Sequence, residues 1–189
     1  MSSSFSFITD ARPTGVVEVA AASAALALRV LHGVLEIAGR KYKEEEVGEL
    51  LGAAAQEAHN LVRLAGEDAV AYTAYVEARR KRDQNAQTAL QHAIETPLAA
   101  ARSAAAGIDL CRRALPFARG AIAADVGGAA LLLAGAVRAI LACASTNLGA
   151  VENAEFTRAV LVEREALERL ALRESEAVAE AAQGQVGRT

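Results

Sequence analysis

Between Val47 and Tyr75 the chain repeats a spacing of four and three residues through Val47, Leu51, Ala54, Ala58, Leu61, Ala65, Asp68, Tyr72 and Tyr75. A helix turns once in about 3.6 residues, so this spacing lines one helical face, whereas a strand would need alternation at every second residue. The run predicts one long helix from about Lys43 to Lys81, despite Gly48, Gly52 and Gly66. Each glycine weakens a helix by roughly 1 kcal/mol relative to alanine, but lets a neighbour approach closely. Prolines at 13, 97 and 116, with clusters of polar residues, divide the rest of the chain into blocks without a β-rich, alternating segment. The other expected helices are Glu18 to Ala38, closed by Gly39; Ala86 to Leu115, kinked at Pro97; Asp125 to Asn147; and Glu152 to Ala182. Ala129, Leu132, Ala136, Ala139 and Cys143 form the expected small-residue contact face of the fourth.

A chain of 189 residues suits one well-buried domain. Its hydrophobic fraction is 53% with only 4% aromatic, so the interior must come from Ala, Leu, Val and Ile, which favours closely packed helices. The expected fold class is all-α: an up-and-down bundle of about five helices, one of them long, in a single domain over residues 1–183 with a polar tail at 184–189. The seam and the amphipathic last helix leave apolar surface over, and a homodimer is its expected use.

The formal net charge is -3, with both signs mixed along the chain, which gives no electrostatic footprint for nucleic acid. The basic run Ala78 to Asp83 reads as the solvated end of a helix. The apolar run Val126 to Val137 is broken by Arg138 and is short for a bilayer, so no membrane partner is expected. Cys111 and Cys143 lack CxxC spacing, and His32, His59 and His92 have no partner a helical turn away. No metal, zinc site or disulfide is expected, and reduced thiols with no secretory leader suggest a cytoplasmic protein. Phosphate-binding loops, dinucleotide fingerprints and nucleophile elbows are absent from the sequence, so no permanently bound cofactor is expected.

Chemistry then rests on polar residues in apolar settings. The heptad phase sends Asp68 to the seam and Tyr72 one turn further, although helical drift could bury Ala69 instead. A carboxylate without hydration gains a raised pKa unless a cation or donor holds it. Asp125 opens the longest uncharged stretch, as either an N-cap or a site residue. Arg40 and Lys41, between the first two helices, suit an anion, and Asn147 caps its helix or donates to a ligand.

Taken in order, "PTGVVE" (Pro13 to Glu18), "GRKY" (Gly39 to Tyr42), "DAVAY" (Asp68 to Tyr72), "TPL" (Thr96 to Leu98), "AD" (Ala124, Asp125) and "TNL" (around Asn147) span nearly the whole chain. Their order resembles that of the cyclodeaminase/cyclohydrolase family, with its "PGGGS" turn, "GKKKY" connection, "DxxAF" helix, "VPL" element, "SD" and late Asn. That family includes the C-terminal domain of formiminotransferase-cyclodeaminase and methenyltetrahydrofolate cyclohydrolase.

The resemblance implies a dimeric all-helical domain and a tetrahydrofolate derivative as substrate, processed by acid/base chemistry on a cyclic amidine or imine. It also implies Asp68, Tyr72 and Asp125 as catalytic residues, with Gly15, Glu18, Arg40, Lys41 and Asn147 as substrate-binding ones. Val16, Val17 and Glu18 depart from the family turn, standing where it keeps two glycines and a serine. Two alternatives follow: a repurposed enzyme of the same fold acting on another small molecule in a specialised pathway, and a non-catalytic helical interaction subunit.

Overall fold

The computed structural model describes residues 15–42 and 45–186. Five long α-helices account for most of them: α1 (Val16–Lys41), α2 (Glu45–Lys81), α3 (Ala86–Ala114), α4 (Ala121–Ala144) and α5 (Ala154–Val186). Short 3-10 turns at Leu115–Phe117 and Leu148–Ala150 lie in the connections on either side of α4. Among the described residues there is no strand. Short connections make successive helices run up and down. α1 packs on α2 and α4, α2 on α3, and α3 on α4, so four helices close a ring, while α5 lies against α4 and α3.

The core is aliphatic, as the composition requires. Leu28, Leu31, Leu35, Leu50, Leu61, Ile94, Leu98, Ile108, Leu133 and Ile140 are buried, and alanines fill the spaces between them. Small residues set the helix spacing. A Cβ placed on Gly107 would stand 3.0 Å from a Leu28 methyl and 3.1 Å from Leu133, so α3 meets α1 and α4 at this glycine. A Cβ on Gly127 would stand 3.0 Å from the Ala182 Cβ and 3.3 Å from the Ala179 Cα, where α4 and α5 touch nearly backbone to backbone.

Several boundaries differ from the sequence reading for identifiable reasons. α1 does not stop at Gly39 but continues to Lys41, because Tyr42 still donates its N–H to the Ala38 carbonyl at 2.8 Å. The expected start of α2 at Lys43 lies outside the described residues. α3 remains one helix across Pro97, which is buried; the Thr96 hydroxyl donates to the His92 carbonyl at 2.9 Å beside it. α4 begins at Ala121, after Gly120 takes a positive φ of 58°, so Asp125 sits in its second turn and is not an N-cap. α4 ends at Ala144, and Asn147 instead precedes the Leu148–Ala150 turn, without a side-chain capping bond. α5 starts when the Asn153 side chain accepts the Phe156 N–H at 3.0 Å, and runs to Val186, beyond the expected Ala182 and into the segment expected as a tail.

The expected faces shift too. Leu132, placed in the contact face of α4, is 58% exposed, while Val126, Ala130, Leu133, Val137 and Ile140 are buried. A straight helix drifts against a seven-residue repeat, which also replaces Leu51 and Ala58 by Leu50 and Leu64 in the buried face of α2.

Candidate functional site

Helix packing fixes the heights at which side chains meet. Gly39 lies 3.6 Å, measured from its ideal Cβ, from Val47. Leu28 and His32 of α1 line one groove with Ala58 and Ala54 of α2. Stepping down α1 while stepping along α2 from these contacts places Glu18 level with Asp68. Leu28 and Leu133 meet at Gly107, so the same stepping along α4 places Glu36 level with Asp125, and Gly15 level with the turn carrying Asn147.

The expected site residues therefore divide into two groups. Gly15, Glu18, Asp68, Tyr72 and Asn147 gather at one end of the bundle, and Arg40, Lys41 and Asp125 at the other. At about 1.5 Å of rise per residue, the levels of Asp68 and Asp125 lie roughly 27 Å apart along the axis. One chain does not bring these two carboxylates together.

Asp68 is the most distinctive member of the first group. It shares its face of α2 with Leu61, Leu64, Ala71 and Tyr75, all buried, at helical spacings of seven, four, three and seven residues. The carboxylate thus turns inward and is half-buried. Among the described residues it has no hydrogen-bond or ion-pair partner, and desolvation raises its pKa above the ordinary aspartate value. An inward carboxylate left unpaired and held toward its protonated form is suited to passing a proton.

Tyr72, one turn on, is 50% exposed. Its ring lies 6.3 Å from the Tyr75 ring, tilted by 58°. Gly15 is the N-cap of α1 with extended backbone, and a Cβ there would meet nothing within 4 Å. Val16 and Glu18 already belong to the first turn of α1, with Val17 buried in the core. Asn147 is half-buried.

At the opposite end, Arg40 and Lys41 are exposed in the last turn of α1. Lys41 Nζ stands 5.3 Å from the centroid of the Tyr42 ring, which meets Phe117 edge-on at 5.9 Å. Basic residues here also complement the helix dipole. Asp125 is exposed.

Other polar assemblies were not visible in the sequence. Ser103 interrupts an alanine run on α3 and donates its hydroxyl to a Glu57 carboxylate oxygen at 2.5 Å. Arg102 bridges Glu95 and Glu163, giving Glu163 a two-pronged contact through Nε and Nη2 and tying α3 to α5. Arg29, His32, Glu36 and His59 line a groove of about 610 Å³ between α1 and α2. Only the lone serine among alanines could have signalled its role. The other groups lie on separate helices and become neighbours by packing. Among the described residues no three His, Cys, Asp or Glu side chains come together as a metal site.

The fold and the inward carboxylate of "DAVAY" define an all-helical bundle with a polar end assembled from helix termini and one long helix. A model of the formiminotransferase-cyclodeaminase family matches residues 13–166. The chain belongs to that family. Its structure is similar to that of formiminotetrahydrofolate cyclodeaminase from Thermotoga maritima, with a TM-score of 0.85 and 20% sequence identity, over 97% of this chain and 96% of that one. At that identity the likeness speaks for the fold. No curated protein matches the sequence.

Proposed function

We propose that the chain is a folate one-carbon enzyme of the cyclodeaminase or cyclohydrolase type. Family membership supports the substrate class, and the observation that carries the reading is Asp68, an inward carboxylate with a raised pKa and no partner among the described residues, in the position of the family's "DxxAF" aspartate. In the cyclodeaminase direction a folate ring nitrogen attacks the formimino carbon, a tetrahedral carbon forms, and the former imine nitrogen leaves as ammonia after gaining protons. In the cyclohydrolase direction water adds to the cationic methenyl carbon, loses a proton, and one carbon–nitrogen bond opens.

Either direction needs a group that holds a cation and moves a proton, and Asp68 fills that role. Its desolvated carboxyl takes up a proton more readily than an exposed aspartate. Tyr72 orients water or substrate beside it, and Gly15, Glu18 and Asn147 border the same end. Asp125 provides a second carboxylate, and Arg40 with Lys41 holds the glutamate tail of the folate. The active unit is a homodimer, and a reducing, cytoplasmic setting suits buried Cys111, whose thiol is pushed up to about 12, and half-buried Cys143.

One observation favours a second reading, a related enzyme acting on a non-folate small molecule. Val16 and Val17 make the first turn of α1 where the family turn carries glycines, so side chains occupy a place where backbone would approach a ligand. The deciding assay follows the absorbance of methenyltetrahydrofolate and the release of ammonia from formiminotetrahydrofolate, alongside titration with folate derivatives. Turnover in either assay is expected, and neither turnover nor binding would overturn the folate reading. A Val16→Gly, Val17→Gly, Glu18→Ser variant that gained folate turnover over an inactive parent would establish the second.

A further inference from the structure

Four polar side chains outside the candidate site converge on the outer groove between α1 and α2. Arg29, His32 and Glu36 reach it from α1 and His59 from α2, over a floor of buried Ala25, Leu28 and Ala54. Among the described residues none of the four has a hydrogen bond or an ion pair, so nothing there uses their polar heads. With Gly39 beside Val47 setting the heights of α1 and α2, the levels of His59, Arg29 and His32 fall within about 7.5 Å of axis, and Glu36 lies about 6 Å beyond. Three donors thus face one stretch of the groove from both walls, and one carboxylate stands past them.

We propose that this groove is a second ligand site, which takes a small organic monocarboxylate with an apolar body the size of a phenyl ring, and which stands with or without the folate reading. Its volume of about 610 Å³ suits such a ligand. The Arg29 guanidinium donates two parallel hydrogen bonds to a carboxylate, and imidazole N–H groups of His32 and His59 donate to its remaining lone pairs. One negative charge balances Arg29. A second would stand within a screening length of Glu36, so a phosphate dianion fits less well. The apolar body lies on the alanine floor and covers Val62, which is 62% exposed at the rim.

The groove is separate from the Asp68 end. At about 100° per residue, Asp68 points about 120° around α2 from Val62 and lies about 9 Å further along the axis. It shares the inner face of α2 with buried Leu61, Leu64 and Ala71, whereas His59 and Val62 of the groove are exposed. Arg40 lies past the groove's other end, about 6 Å beyond Glu36. A ligand held by Arg29 and His59 therefore leaves Asp68 uncovered.

The chain has three histidines, and His92 lies on α3 outside this groove, so imidazole NMR reports on the site with an internal control. The probe is 4-phenylbutyrate, compared with 4-phenylbutanamide and phenyl phosphate; His32→Gln and His59→Gln variants assign the signals. Saturable movement of the His32 and His59 signals is expected, with His92 still. The amide, and the acid on an Arg29→Gln variant, should each bind at least about tenfold more weakly, while Asp68→Asn binds the acid unchanged. Phenyl phosphate should bind more weakly than the acid and gain affinity in Glu36→Gln. No saturable shift by about 10 mM, movement of all three imidazoles together, or an amide that binds as well as the acid overturns the site. An Arg29→Gln variant, folded by circular dichroism, that binds the acid as tightly as its parent also overturns it. Displacement of the probe by 5-formyltetrahydrofolate gives the groove to the folate site and overturns a second one. Probe binding without folate turnover or folate binding would overturn the folate reading and leave this site standing.

Discussion

Asp68 shows how a single buried carboxylate can be costly to the fold. Because burial raises its folded pKa, the native state holds this proton more tightly than the unfolded chain does. Its contribution to stability is therefore most favourable below the ordinary carboxylate range and is lost as pH rises through the folded pKa. Replacing Asp68 by Asn removes that penalty. Asp68→Asn is expected to raise the melting temperature at pH 7 and to cut turnover by at least about a hundredfold. Thermal unfolding at pH 4 and pH 7 checks the first point, since the gain should shrink in acid.

A second residue-scale case is Arg82, the only described non-glycine residue with positive φ, at 53°. It sits just past α2, where the Asp83 N–H donates to the Ala78 carbonyl at 2.9 Å and the Arg82 N–H to the Arg79 carbonyl at 3.2 Å. This double closure is the Schellman helix stop, which favours glycine at the left-handed position. Arg82→Gly should stabilise the protein by about 1 kcal/mol, read from urea denaturation.

Among the elements, α5 is the least enclosed, and two contacts hold it. At Gly127 a larger side chain has nowhere to go, with Ala182 and the Ala179 backbone already at contact distance. Gly127→Val is expected to push α5 outward and cost about 1–3 kcal/mol, measured as a loss in denaturation free energy. At the second contact, the hydrogen bond from Arg102 holds the Glu163 carboxyl below its ordinary pKa. A depressed folded pKa gives stability that is present above the unfolded value and disappears as pH falls through the folded one. Both side chains are more than a third exposed, so solvent limits the pair to under about 1 kcal/mol. Glu163→Gln should therefore leave neutral stability nearly unchanged and make the acid-side decline of the melting temperature shallower.

At the scale of the whole molecule, the sequence was most legible where periodicity and punctuation act locally. The long α2, the stop near Lys81 and the five long helices among the described residues follow from spacings that a helix imposes on any chain, and alanine-rich composition dictates close packing. The phase of each face was less legible. Whether Leu50 or Leu51 is buried depends on neighbours that the local pattern does not contain. The motif order from Pro13 to Asn147 identified the family, and family-like residues at Asp68 and Asp125 could be named from it. Their positions in space could not. Arg29, His32 and His59 were also present in the sequence, yet only the packing of α1 against α2 showed that they share one groove.

The sequence alone determined that the chain is a bundle of long helices, because helix formation and amphipathic patterning are set by residues a few positions apart. Only the tertiary structure decided that Asp68 points inward, with no partner among the described residues, and that Asp125, Arg40 and Lys41 lie at the far end. Those outcomes depend on which helices become neighbours and at what height, and the contacts that fix both join residues distant in the chain.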